Sequence, residues 1–186
     1  MAVRIVTDST ADMSPHLARE LGVSVVPLSV IFGDEVFKEG VQIGHDLFYD
    51  KLVRSKVLPT TSAPSVGDFL EVYEPLLAET DEIVSIHLSS KLSATYNNAL
   101  QAAQQLAERG ARIEVVDSQL VSLGMSFVVA AAARAAIGGA GGSGGRGRSS
   151  ATCYVSSRSS TFAMGRCTRA SACGQRHRPW NASSRS

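Results

Sequence analysis

Along the first 137 residues, apolar positions switch between the spacing of buried strands and that of helix faces, and the switches mark the elements. Ile83, Val84, Ile86 and Leu88 form a short, mostly apolar run of the kind covered on both faces of a sheet. From Tyr96 the apolar residues fall at Tyr96, Ala99, Leu100, Ala103, Leu106 and Ala107, the spacing of one helix face. Between the two lies the hydroxyl-rich stretch Ser89 to Thr95, at the place where open α/β sheets put their ligands. A helix start there offers unpaired N–H groups, and the serines add hydroxyl donors, so the turn suits a small anion. A serine that only caps the helix is the simpler alternative.

The same transition recurs twice. Val3, Ile5 and Val6 run into Thr7-Asp8-Ser9-Thr10, and Ile113, Val115 and Val116 end in Asp117-Ser118. Three strands that end in Asp or Ser predict one carboxyl edge lined with polar groups. Ser14-Pro15 reads as a cap followed by proline at the first helical position, with Gly22 closing a short helix. Ser24 to Phe32 reads as a strand, and Gly33-Asp34-Glu35 turns it into Val36-Phe37, a hairpin that would make the sheet less than purely parallel. His45 to Leu52 carries a helical face. In Pro59-Thr60-Thr61-Ser62-Ala63-Pro64-Ser65 two prolines hold the backbone extended and expose the hydroxyls. Ser65 caps the next helix with Asp68 three residues on, and Pro75 is expected to kink or shorten it. Strand–helix–strand–helix through Ile83, Tyr96, Ile113 and Leu120 implies crossovers, hence an α/β fold with a mainly parallel sheet and helices on both faces.

Composition divides the chain in two. Residues 1–137 carry 10 Lys and Arg against 17 Asp and Glu, a net charge of −7, and are long enough for one α/β domain with a real core. Residues 138–186 hold 8 Arg and no Lys, Asp, Glu, Leu or Ile, with 9 Gly, 11 Ser and all three cysteines. Such a segment buries too little apolar surface to order itself, so a disordered tail opening on a Gly-rich tether at Gly138 is expected. Its composition is that of a GC-rich gene read in the wrong frame, and a genuine arginine-rich arm for nucleic acid is the alternative. Cys153, Cys167 and Cys173 match no zinc spacing, and neither a metal nor a disulfide framework is expected. The N-terminus lacks a long apolar core for export, and Ser126 and Arg134 interrupt the longest apolar run. The expectation is a cytoplasmic chain with no membrane span.

No G-x-G-x-x-G follows the first strand, no G-x-x-x-x-G-K-[ST] loop occurs and no G-x-S-x-G elbow occurs. Asp8 after the first strand invites comparison with nucleophilic aspartates, which raises a magnesium-dependent phosphohydrolase as an alternative. Thr10, however, stands where a second carboxylate would be needed. His16, His45 and His87 are isolated in sequence. His87, inside a strand, is expected to be a satisfied core residue, and Lys91 a solvated one.

Four segments together carry a resemblance: VTDSTAD at Val6–Asp12, PTTSAPSVGDF at Pro59–Phe69, SSKLSATY at Ser89–Tyr96 and VVDSQLVSLG at Val115–Gly124. In order and spacing this resembles the DegV family of bacterial fatty-acid-binding proteins, over residues 2 to 137. The resemblance implies two α/β domains with one long-chain fatty acid between them, in some members presented to a separate fatty-acid kinase. It implies no catalytic residue and no cofactor. It places the carboxylate on Thr61 and Ser93, with Ser62 and Ala94 as further residues of the ligand turns. Ala94 stands where the family has glycine. It also implies a second domain from about Ile137, which residues 138–186 do not match, so lipid binding is expected to be weakened; the wrong-frame reading of those residues leaves no nucleic-acid partner expected.

Overall fold

A computed structural model describes residues 3–139 of the chain. Strand β1 (Arg4–Asp8) alternates its side chains between two apolar layers, so both of its faces are covered. Ile5 joins a core with Val84 and Ile86, while Val6 joins another with Ile83. Four strands lie in the order β2 (Val23–Val26), β1, β6 (Glu82–His87), β7 (Arg112–Asp117), every neighbouring pair parallel. One face is packed by α1 (Pro15–Glu20) and α5 (Ser122–Gly139), through Leu17, Met125, Val129 and Ala132 among others. The other is packed by α3 (Val66–Leu77) and α4 (Thr95–Ala107), through Phe69, Tyr73, Ala99, Ala102 and Leu106. The fold is α/β with helices on both faces of a parallel sheet.

The run Ser24–Phe32 is two strands rather than one. Pro27 has no N–H for a ladder, and the chain leaves the main sheet there. Beyond it β3 (Ser29–Phe32) pairs antiparallel with β4 (Glu35–Lys38) and with β5 (Thr60–Ser62), in a separate three-stranded sheet. The hairpin therefore does not mix the main sheet. Between β4 and β5, α2 (His45–Arg54) has no fully buried residue and packs Phe48 against Phe32.

Helix starts follow the sequence signals. The Ser14 hydroxyl accepts from Leu17 N, and Gly22 takes φ +63° after α1. Ser65 and Asp68 form a reciprocal capping box, and Lys38 Nζ sits 2.8 Å from Asp68 Oδ1, tying the hairpin to the start of α3. Burial would push the Asp68 carboxyl up, but Lys38 and the Ser65 donors hold it below the usual carboxylate range. Ser65→Ala is expected to cost about 1 kcal/mol in urea unfolding. A loss indistinguishable from zero would mean that Asp68 and Lys38 alone start this helix. Pro75 lies inside α3, two residues before its last residue, Leu77. Helix α5 continues through Gly138 and Gly139, so these two residues are helical rather than the start of a tether. The expected disordered tail otherwise lies outside the described residues.

Candidate functional site

Parallel strands β1, β6 and β7 bring Asp8, His87 to Ser89, and Asp117 to one carboxyl edge, as their sequence pattern predicts. Register puts Asp8, Ser85 and His87 on the face covered by α3. Asp8 is fully buried and takes four donors. Oδ1 accepts from Thr10 N at 3.0 Å and from the Thr10 hydroxyl; Oδ2 accepts from His87 Nδ1 at 2.9 Å and Leu88 N at 3.1 Å. His87 Nε2 lies 2.7 Å from Ser85 Oγ, which accepts from the Tyr73 hydroxyl at 2.8 Å. Every donor and acceptor in this chain is matched when the imidazole proton sits on Nδ1 and Ser85 donates to Nε2. Burial raises the Asp8 carboxyl, but the bond to His87 (with its charge when protonated), the Thr10 hydroxyl and Leu88 N–H outweigh it and hold the pKa below normal. Burial pushes the Tyr73 hydroxyl up.

Asp8, His87 and Ser85 have the order of a catalytic triad but not its access, since all three are fully buried. The Asp8 oxygens are occupied by the chain's own groups, whereas a phosphoryl acceptor needs one free. Among the described residues no group of three or more His, Cys, Asp or Glu is placed to hold a metal ion. Asp8 is a structural anchor.

What it anchors is the turn between β6 and α4. Leu88 N is held by Asp8; Ser89 N donates to Leu120 O at 3.0 Å; the Ser90 hydroxyl and N–H both donate to Asp117. Asp117 also receives Gln119 N at 2.9 Å, which couples this turn to the β7–α5 loop. That loop holds Gln119 at φ 56° and Ser122 at φ 55°, both in the left-handed region, and Asp12 after β1 takes φ 55°. Non-glycine residues of this kind cluster where a scaffold fixes a functional edge.

Ser93 lies half-buried at the end of the turn. Its Oγ is 2.9 Å from the Thr95 hydroxyl and accepts from Thr95 N at 3.3 Å, so a weak capping contact accompanies any ligand role. Ala94 takes φ −73°, ψ −4°, in the right-handed helical region. Alanine at this position therefore meets no left-handed strain. Lys91 and Ala94 are exposed. Thr61 and Ser62 are exposed in β5, where Thr61 pairs with Val30. The two hydroxyl segments are joined indirectly: Asn98 Nδ2, in the first turn of α4, donates to Pro64 O at 2.8 Å.

The sequence does not single out Asn98, Tyr73 or Ser85. Ser85 and His87 do leave a signal, two polar residues at period two inside an apolar strand. Among the described residues no helix is long and apolar enough to cross a membrane.

Comparison with known proteins gives one consistent result. The family described as "Uncharacterised protein, DegV family" matches residues 2–143. A DegV domain-containing protein of Halalkalibacterium halodurans is 53% identical over 105 residues, 56% of this chain and 37% of that protein. Among solved structures, a DegV family protein from Thermus thermophilus, described by its fatty acid binding, superposes with TM-score 0.66 at 38% identity over 77% of this chain and 49% of that one. A stearic acid-binding protein from Eubacterium ventriosum gives TM-score 0.69 at 30% identity, over 74% and 48% respectively. The chain spans about half the length of these structures and less of the first relative.

Proposed function

The chain belongs to the DegV family, and from that premise we propose that it binds the carboxylate of a long-chain fatty acid through Thr61 and Ser93. The observation that carries the reading is the Ser89–Ser93 turn itself. Asp8 and Asp117 hold it at the carboxyl edge of the sheet, with the Ser93 hydroxyl at the N-terminus of α4. Solved relatives described as fatty-acid-binding support the ligand class.

The energetics give the two parts of a fatty acid different roles. Each hydroxyl bond to a carboxylate is charge-assisted and contributes on the order of 1.5–3 kcal/mol. Fourteen buried methylenes would contribute about 11 kcal/mol, at roughly 0.8 per CH₂. The hydroxyls orient the ligand and apolar contact supplies most of the affinity. Leu92 in the turn and Leu120, Val121 and Leu123 beyond β7 are exposed apolar side chains at this edge, and they are the surface this half offers to the acyl chain. No residue is assigned a catalytic role. A separate kinase that acts on the bound carboxylate would be the partner of such a carrier.

Ser93→Ala tests the reading, by fluorescence titration of the full chain with cis-parinaric acid. Loss of one charge-assisted bond lowers affinity by about 10- to 100-fold. Unchanged affinity removes Ser93 from the site, and no binding by the unsubstituted chain removes the fatty-acid reading for this chain.

A further inference from the structure

We infer that Asn98 is a positioning residue for the ligand: its side-chain amide sets the spacing between the Thr61 and Ser93 hydroxyls. The inference rests on the fatty-acid reading above. Asn98 lies five residues after Ser93, and its own N–H donates to Ala94 O at 2.9 Å in the opening turn of α4. Its Nδ2 donates at 2.8 Å to the carbonyl of Pro64, three residues after Thr61. Among the described residues this is the one side-chain hydrogen bond that joins residues 59–65 to residues 88–107.

Both arms leading away from this bond are stiff. Pro64 is buried with a ring-fixed φ, and the residue before it is restricted to extended backbone. Thr61 is then held by its pairing with Val30. On the other arm Ala94 to Asn98 are helical or nearly so, and Ser93 is fixed against Thr95. A shift at the Asn98–Pro64 contact therefore moves one hydroxyl relative to the other instead of being absorbed between them. Two donors grip one carboxylate only when their separation matches its oxygens, within roughly half an ångström. Neither the β3–β5 pairing nor the Ser65–Asp68 box involves Asn98.

The test separates head-group positioning from general damage by comparing cis-parinaric acid with its methyl ester, which has the same chain and no charge. The full chain, Ser93→Ala, Asn98→Ala and Asn98→Leu are titrated with both probes. Asn98→Leu keeps nearly the same side-chain shape, offers Pro64 no donor and adds no charge, so it serves alone if Asn98→Ala does not fold. The unsubstituted chain prefers the acid, and both Asn98 variants lose about tenfold of that preference while ester affinity stays within about twofold. If the Asn98 variants keep the acid preference while Ser93→Ala loses it, the positioning role is wrong and the fatty-acid reading stands. An equal loss of acid and ester binding in the Asn98 variants makes Asn98 merely structural and also overturns the inference. Equal affinity for acid and ester in the unsubstituted chain overturns both.

Discussion

Asp8→Ala is expected to lower the unfolding free energy by about 3–5 kcal/mol, measured by urea denaturation at neutral pH. The carboxylate is fully buried and receives His87, Leu88 and two donors of Thr10. An alanine leaves the His87 Nδ1–H and the Leu88 N–H buried with no acceptor, and such groups forfeit their hydration on folding. Asp8→Asn keeps one carbonyl acceptor but turns an NH₂ toward donors, so its cost lies between those of wild type and alanine. A loss below about 1 kcal/mol for Asp8→Ala would show that water reaches this site and that the carboxylate does not organise the edge.

Acid lability follows from the same group. The Asp8 pKa is lower folded than unfolded, so its stabilisation is fully present above the ordinary carboxylate value of 3.8 and is lost as pH falls through the folded value. Asp68 is depressed as well and adds to the loss in the same direction. Stability should therefore fall below about pH 4, less steeply in Asp8→Asn than in the unsubstituted chain. Equal slopes for the two would assign the acid sensitivity to other carboxylates.

How much of this is legible in the sequence depends on the range of each interaction. The carboxyl edge is legible because Asp8, Ser89 and Asp117 each follow their own apolar strand within a residue or two. The caps at Ser14 and Ser65 are legible for the same reason, since each hydroxyl reaches an N–H three residues on. The split of Ser24–Phe32 into two sheets is marked only by Pro27. A single proline does not say which side of it belongs to which sheet. The buried polar chain is half legible, because period two places Ser85 and His87 together but nothing local announces the Tyr73 hydroxyl arriving from α3. The contact of Asn98 with Pro64 spans 34 residues and leaves no periodic trace. Thr61 and Ser93 themselves enter through family resemblance; composition and spacing show only two hydroxyl-rich turns.

Phe69→Ala carries the second large effect, about 3–5 kcal/mol. The ring is fully buried in α3, stands edge-on to the His87 imidazole at a centroid distance of 5.1 Å, and lies 5.8 Å from the Tyr73 ring. It is an apolar wall beside two members, His87 and Tyr73, of the Asp8–His87–Ser85–Tyr73 chain, so its removal opens a cavity with polar atoms on one side. Water entering there would solvate His87 and make the Asp8 carboxylate less necessary. The losses of Phe69→Ala and Asp8→Ala should consequently not add, with the double variant less destabilised than the sum by about 0.5–3 kcal/mol. Phe69→Leu retains most of the wall and should cost about 1–2 kcal/mol with near-additive behaviour. If Phe69→Ala and Asp8→Ala instead add within about 0.5 kcal/mol, the ring and the carboxylate act independently.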